Sequence, residues 1–223
     1  MKQKCVIFDM DGVIIDSEPI HLASEKEMFN LLNIDVSDEE HHSFVGASSE
    51  TLWTKIKERN ELDYPVDTLV EMNRTMYLKN LKNRYTLESV PNVPELIFQL
   101  KEEGFLLAVA SSSPISQVSY ILDKLQLSPH FNTVLTGDQV SAGKPEPEIF
   151  LKAARTVGVE PPSCVVIEDS FNGVTAAKNA GMRCIGFKNP NSGNQDLSKA
   201  DSLINCFDEQ TIDVIYTVLN VKN

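Results

Sequence analysis

Basic residues are what this 223-residue chain is short of: 20 Lys and Arg stand against 32 Asp and Glu, a formal net charge of −12. Such an acidic balance repels phosphodiester backbones, so no nucleic-acid partner is expected. Long apolar runs are missing too. No stretch approaches the roughly 20 residues of a membrane span, so no membrane association is expected. Cysteine is sparse: Cys5, Cys164, Cys184 and Cys206 are widely spaced and form no CxxC pair, which argues against a metal or disulfide role. Three of them lie in or beside apolar runs and read as buried small hydrophobes. The chain passes from Met1-Lys2-Gln3-Lys4 straight into an apolar run, without the pattern of a signal peptide, so a cytoplasmic location is expected. No exposed apolar stripe stands out, which makes a monomer the expectation. Length allows one domain or one domain with a small insert.

What is present is concentrated first at Val6-Ile-Phe-Asp9-Met-Asp11-Gly12. An apolar run ends in two carboxylates, and a glycine follows. On an extended chain residues i and i+2 point the same way, about 6.6 Å apart at about 3.3 Å per residue. Two acids held that close repel each other, and a cation or a shared proton relieves the repulsion. Gly12 permits backbone conformations closed to other residues.

Three further segments fit the same chemistry. Leu106 to Ala110 leads into Ser111-Ser112-Ser113; Lys144 stands in the turn Gly143-Lys144-Pro145-Glu146-Pro147; Cys164 to Ile167 leads into Glu168-Asp169-Ser170. In an open parallel sheet ligands bind beyond the carboxyl ends of the strands, so these segments belong to one site. Strand-like runs fall at about 4–9, 105–111, 132–136, 163–168, 183–187 and 202–205, with helical patterns at 94–103, 115–125, 147–157 and 172–179. That alternation predicts an α/β fold with a doubly wound parallel sheet.

Residues 18–83 interrupt it. They carry helix-period material at 20–32, 50–59 and 66–82 and no strand-like run, which predicts an inserted all-helical domain within a core of 1–17 and 84–223. Leu22, Met28, Phe29, Leu31, Leu32, Trp53, Met72, Met76 and Tyr77 read as its core. His41-His42 reads as a solvated surface pair, Ser113 as a turn former or helix cap, and 189–194 as an ordered surface loop rich in turn formers. Asp16 and Ser17, at the exit toward the insert, suit hinge, capping or substrate roles alike.

The set Asp9-x-Asp11, Ser111, Lys144-Pro145 and Glu168-Asp169 resembles, in order and spacing, the four motifs of the haloacid dehalogenase superfamily. More narrowly it resembles the β-phosphoglucomutase-like branch of phosphatases and mutases. The resemblance implies a Rossmann-like core under a helical cap. It implies Asp9 as nucleophile, Asp11 as general acid/base, and Ser111, Ser112, Lys144 and the Gly12 main chain as phosphate contacts. Mg²⁺ would be held by the Asp9 carboxylate, the Asp11 carbonyl and Asp169, with Glu168 acting through water or as an orienting group. His21 and Gly46 match cap residues of the mutases. Where the mutases grip the distal phosphate with arginine and lysine, this chain aligns Ser49 and Asn73, with Arg74 adjacent. The expected function is therefore a Mg²⁺-dependent phosphatase acting on a small phosphorylated metabolite, a sugar or polyol phosphate. The alternative is a β-phosphoglucomutase. A phospho-signalling receiver domain shares the residue types, but a helical insert of this length has no place in one.

Overall fold

The computed structural model describes residues 3–45, 47–84 and 86–220. They divide into two compact units, 1–16 with 88–223 and 17–87. The first holds one six-stranded, all-parallel sheet in the order β3-β2-β1-β4-β5-β6. Its strands are β1 (Cys5–Phe8), β2 (Leu106–Ser111), β3 (Thr133–Thr136), β4 (Cys164–Glu168), β5 (Arg183–Phe187) and β6 (Ser202–Ile204). Each falls within its predicted run.

Continuous apolar strands are what a sheet covered on both faces requires. Cys5 and Ile7 pack into a core with Ala108, Ala110, Phe150, Val166 and Val174. Val6 and Phe8 point the other way by strand alternation and are also fully buried. At about 25 cal/mol per Å² of apolar surface, such central strands stabilise the unit more than the edge strand β6, where Leu203 is exposed. Cys5, Cys164 and Cys184 are buried as expected, and Cys206 is exposed.

The helices of the second unit are α1 (Glu18–Leu31), α2 (Asp38–His42), α3 (Ser49–Asn60) and α4 (Val66–Asn83). Those of the first are α5 (Val93–Glu102), α6 (Ile115–Lys124), α7 (Glu148–Val157), α8 (Phe171–Asn179) and α9 (Thr211–Val218). The short α2 and α9 have no counterpart in the sequence reading. For α2 a signal existed: Ser37 caps it by accepting the Glu40 amide at 3.2 Å, and Ser37-x-x-Glu40 is a capping-box pattern.

The helical unit has its own core of Met28, Phe29, Phe44, Leu52, Trp53, Ile56 and Leu69. Two readings need correction. Leu31 is 61% exposed rather than in that core: as the last residue of α1 it lines an open cavity beside Met28, Met72 and Met76. His41 is 1% exposed rather than solvated: its Nε2 bonds Glu25 Oε2 at 2.6 Å, and its ring packs against Phe29. Only His42 is at the surface. Among the described residues no helix is long and apolar enough to cross a membrane.

Candidate active site

β1 lies between β2 and β4, where the strand order reverses direction, and this is where an open parallel sheet forms its crevice. Asp9 follows β1 directly, and its amide donates to the Ile167 carbonyl of β4 at 3.0 Å. The chain then turns tightly: the Ile14 and Ile15 amides both return to the Met10 carbonyl, and Gly12 has φ of +81°. A side chain at Gly12 would be excluded twice over. Its Cβ would lie 2.0 Å from Asp169 Oδ2, and its φ is one that L-residues rarely adopt. Glycine therefore lets the ends of β1 and β4 close on each other.

Glu168 ends β4, and Asp169 and Ser170 lead into α8. Ser170 caps that helix by accepting the Gly173 amide at 3.0 Å. Its amide and hydroxyl both donate to Glu168 Oε2 at 2.9 Å. Glu168 Oε1 receives Lys144 Nζ at 2.7 Å. Lys144 also donates to Asp9 Oδ1 at 2.5 Å and to the Ala110 carbonyl at 3.0 Å, and lies over the Phe150 ring. One lysine thus ties the ends of β1, β2 and β4 together.

The acids outnumber it. Asp9, Glu168 and Asp169 are all buried, and one ligand oxygen of each lies within 4.8 Å of the others. Burial pushes the Asp9 carboxyl well above the usual carboxylate range, against the pull of Lys144 and with the repulsion of Glu168, Asp169 and Asp11. Burial and the charge of Glu168 push Asp169 up to about 7, eased by a hydrogen bond from Ser192. Burial alone would lower Lys144, but Asp9 and Glu168 outweigh it and hold its pKa above the ordinary value. An all-oxygen set of buried, under-compensated carboxylates is the donor chemistry that a hard divalent cation such as Mg²⁺ fits.

Ser111 ends β2 and is fully buried. Its Oγ accepts the Ser113 amide at 3.0 Å, which leaves its O–H as a donor. Ser112 is exposed, and its carbonyl lies so near Gly137 that a Cβ there would come within 2.3 Å. Ser113, read from sequence as a turn former, instead donates through Oγ to Asp11 Oδ2 at 2.7 Å. Two residues of the loop after β5 also reach inward, contrary to its reading as a surface loop. Asn189 is buried and donates to the Gly12 carbonyl at 2.8 Å, and Ser192 donates to Asp169 Oδ2. Asn189 stands two residues past β5, so the strand-end rule that found the other positions extends to it.

The remaining candidates lie near the boundary or in the helical unit. Asp16 accepts from Asn191 Nδ2 at 2.6 Å, and Ser17 makes no side-chain cap bond to α1. His21 stacks on Tyr77 with ring centroids 4.2 Å apart. With Glu18, Glu25 and Ser49 it lines a cavity of about 150 Å³. Asn73 is buried, whereas Arg74 is exposed and pairs with Glu71 at 3.1 Å. Gly46 lies outside the described residues.

The sequence profile described as haloacid dehalogenase-like hydrolase matches residues 6–187. Hexitol phosphatase B of Escherichia coli is 31% identical over 84% of this chain and 85% of its own length. The β-phosphoglucomutase of Bacillus subtilis is 30% identical over 96% of this chain and 94% of its own. The crystal structure of CbbY from Rhodobacter sphaeroides in complex with phosphate superposes with a TM-score of 0.80 at 25% identity, covering 93% of this chain and 96% of that one.

Proposed function

The chain belongs to the haloacid dehalogenase-like hydrolase family and is an enzyme acting on phosphate esters; on that premise we propose that it is a Mg²⁺-dependent phosphatase of small sugar or polyol phosphates, working through an aspartyl-phosphate at Asp9. The observation that carries the reading is the Asp9 carboxylate itself: buried, bonded to Lys144 at 2.5 Å, and surrounded by more negative charge than that lysine offsets.

An Asp9 oxygen attacks phosphorus while the ester P–O bond breaks. The leaving oxygen takes its proton from Asp11. Water then attacks the phosphorus of the acyl phosphate and gives a proton to Asp11. The bond to Asp9 breaks, and inorganic phosphate leaves. Ser111 donates its free O–H to the transferring group, and Lys144 holds positive charge beside Asp9 throughout. The Ser112 amide is the further phosphate contact; the Gly12 amide, expected from the sequence as another, is engaged instead with the Ile15 carbonyl at 2.7 Å. Mg²⁺, when bound, offsets the repulsion between carboxylate and phosphate. Asp9, Asp169 and the Asp11 carbonyl would hold it. Glu168, with both oxygens engaged by Lys144 and Ser170, orients the site rather than ligating directly.

Residues 17–87 act in this reading as the cap, with His21 and Gly46 in the roles their match to the mutases implies, and the protein works as a cytoplasmic monomer. The mutase alternative has support in the 30% identity to a β-phosphoglucomutase. A mutase must also grip a second phosphate, and here the aligned Asn73 is neutral and buried while Arg74 is engaged with Glu71. That favours hydrolysis.

The test is phosphate release from hexitol, hexose and pentose phosphates with Mg²⁺, beside Asp9→Asn. Release from one class that falls by at least about 10³-fold in the variant is the expected result. Conversion of β-glucose 1-phosphate to the 6-phosphate, dependent on a bisphosphate primer and without phosphate release, would replace the reading by the mutase.

A further inference from the structure

We propose that Ser113, backed by Gln117, is a positioning residue that aims Asp11 at the leaving oxygen and at the attacking water. The inference rests on the role proposed for Asp11 above.

A general acid/base works only with its reacting atom within about 2.6–3.2 Å of the proton it transfers, and a carboxylate on a short loop is free to rotate away. Asp11 is restrained on one side only. Its Oδ2 accepts the Ser113 hydroxyl at 2.7 Å, while its Oδ1 is buried and has no hydrogen-bond partner among the described residues. One oxygen is tethered and the other is left to react.

The tether is itself fixed. A hydroxyl has one proton, so Ser113, donating to Asp11, can only accept from its other neighbour. That neighbour is Gln117, one helical turn on, whose Nε2 donates to Ser113 Oγ at 3.1 Å from a side chain only 3% exposed. A donor on the hydroxyl oxygen strengthens the bond that its proton makes. The Ser113 backbone is anchored from two directions, its amide on Ser111 Oγ at 3.0 Å and its carbonyl by the Gly137 amide at 3.2 Å.

The competing structural role is already filled by other groups. The N-cap of α6 is Pro114, with no side-chain cap bond, and the exposed Ile115 amide is satisfied by Asp138 Oδ2 at 2.8 Å. The Ser113 hydroxyl is therefore not holding the helix end. What it holds is Asp11.

Two substrates separate positioning from general damage. An alkyl phosphate needs a proton at its leaving oxygen; p-nitrophenyl phosphate does not, because nitrophenolate leaves unaided. Expected for Ser113→Ala is a kcat on the alkyl phosphate lower by about 30-fold at a KM within about twofold, because orientation of the acid/base is lost and binding is not. The pre-steady-state release of p-nitrophenol, which reports attack by Asp9, should stay within about threefold. Ser113→Thr, which keeps the hydroxyl, should restore turnover to within about threefold, and Gln117→Leu should give an intermediate loss of about fivefold. Equal losses on both substrates, a loss carried by KM, or no loss in Ser113→Ala would overturn the proposal. So would a Ser113→Thr variant as poor as the alanine one. Asp9→Asn keeps the two readings apart: if it turns over normally, the aspartyl-phosphate mechanism fails whatever Ser113 does.

Discussion

Among the described residues acidic side chains are buried in two places and matched acid to base in only one. In the helical unit Glu25 and His41 form a single pair at 2.6 Å, one acid to one base, with side chains 11% and 1% exposed. In the sheet unit Asp9 and Glu168 share the Nζ of Lys144 at 2.5 and 2.7 Å, and Asp169 joins them in one acidic cluster. The pair matches acid to base, although His41 Nδ1 is buried without a hydrogen-bond partner among the described residues. The cluster does not, and the Asp9 and Asp169 carboxyls respond by rising in pKa. Surplus charge held at the carboxyl ends of central strands costs stability, and it is retained where a ligand of opposite sign or a reaction uses it. The difference separates a structural pair from a working site without reference to any relative.

The largest effect is expected from removing Lys144. Lys144→Met leaves Asp9 and Glu168 buried without their counter-charge. The expected cost is about 3–5 kcal/mol of stability in urea unfolding, together with loss of nearly all phosphate release. If the variant unfolds at the same urea concentration as the parent, the lysine does not balance the acids, and the contrast drawn above fails.

The matched pair should behave differently. His41→Leu strands a buried carboxylate and should cost about 2–4 kcal/mol, while His41→Leu combined with Glu25→Leu should recover most of it, since a well-packed apolar pair replaces a buried ionic one at little net cost. Additive losses in that double-mutant cycle would mean the two side chains are not coupled.

How much of this was legible in the sequence follows the same division. Strands buried on both faces must be apolar throughout, so the central β1, β2 and β4 stand out as runs, and the motif residues at their ends, though not Lys144 in its turn, could be placed from strand ends alone. In the helical unit one face of each helix is wet. Periodicity there places Met28 and Phe29 correctly but cannot tell that Leu31, at the last turn of α1, faces outward. His41 escaped because its burial depends on Glu25, sixteen residues away, and a long-range pair leaves no local pattern. Ser113 and Asn189 escaped for a related reason. Serine and asparagine after a strand are ordinary turn residues, and only the fold shows that one bonds Asp11 and the other the Gly12 carbonyl.

The smallest expected effect concerns the cluster without its metal, for which the matched pair offers no equivalent. An Asp169 that titrates near 7 when folded, against an ordinary value of 3.8, keeps a proton that the unfolded chain has already lost between those two values. The folded state then binds more protons than the unfolded one, so stability falls as pH rises from about 4 to about 7, and the raised Asp9 acts in the same direction. With EDTA present, the protein should be less stable at about pH 7.5 than at about pH 5 by roughly 1–3 kcal/mol, a drop of several degrees in Tm for a chain of this size. Mg²⁺ binds the ionised carboxylates. It should therefore raise Tm strongly at the higher pH, where they are charged, and little at the lower, where protons already neutralise them. A Tm that is flat with pH in EDTA, or a Mg²⁺ effect of equal size at both values, would show that the three acids are compensated from within. Their convergence would then be no more a sign of function than the pairing of Glu25 with His41.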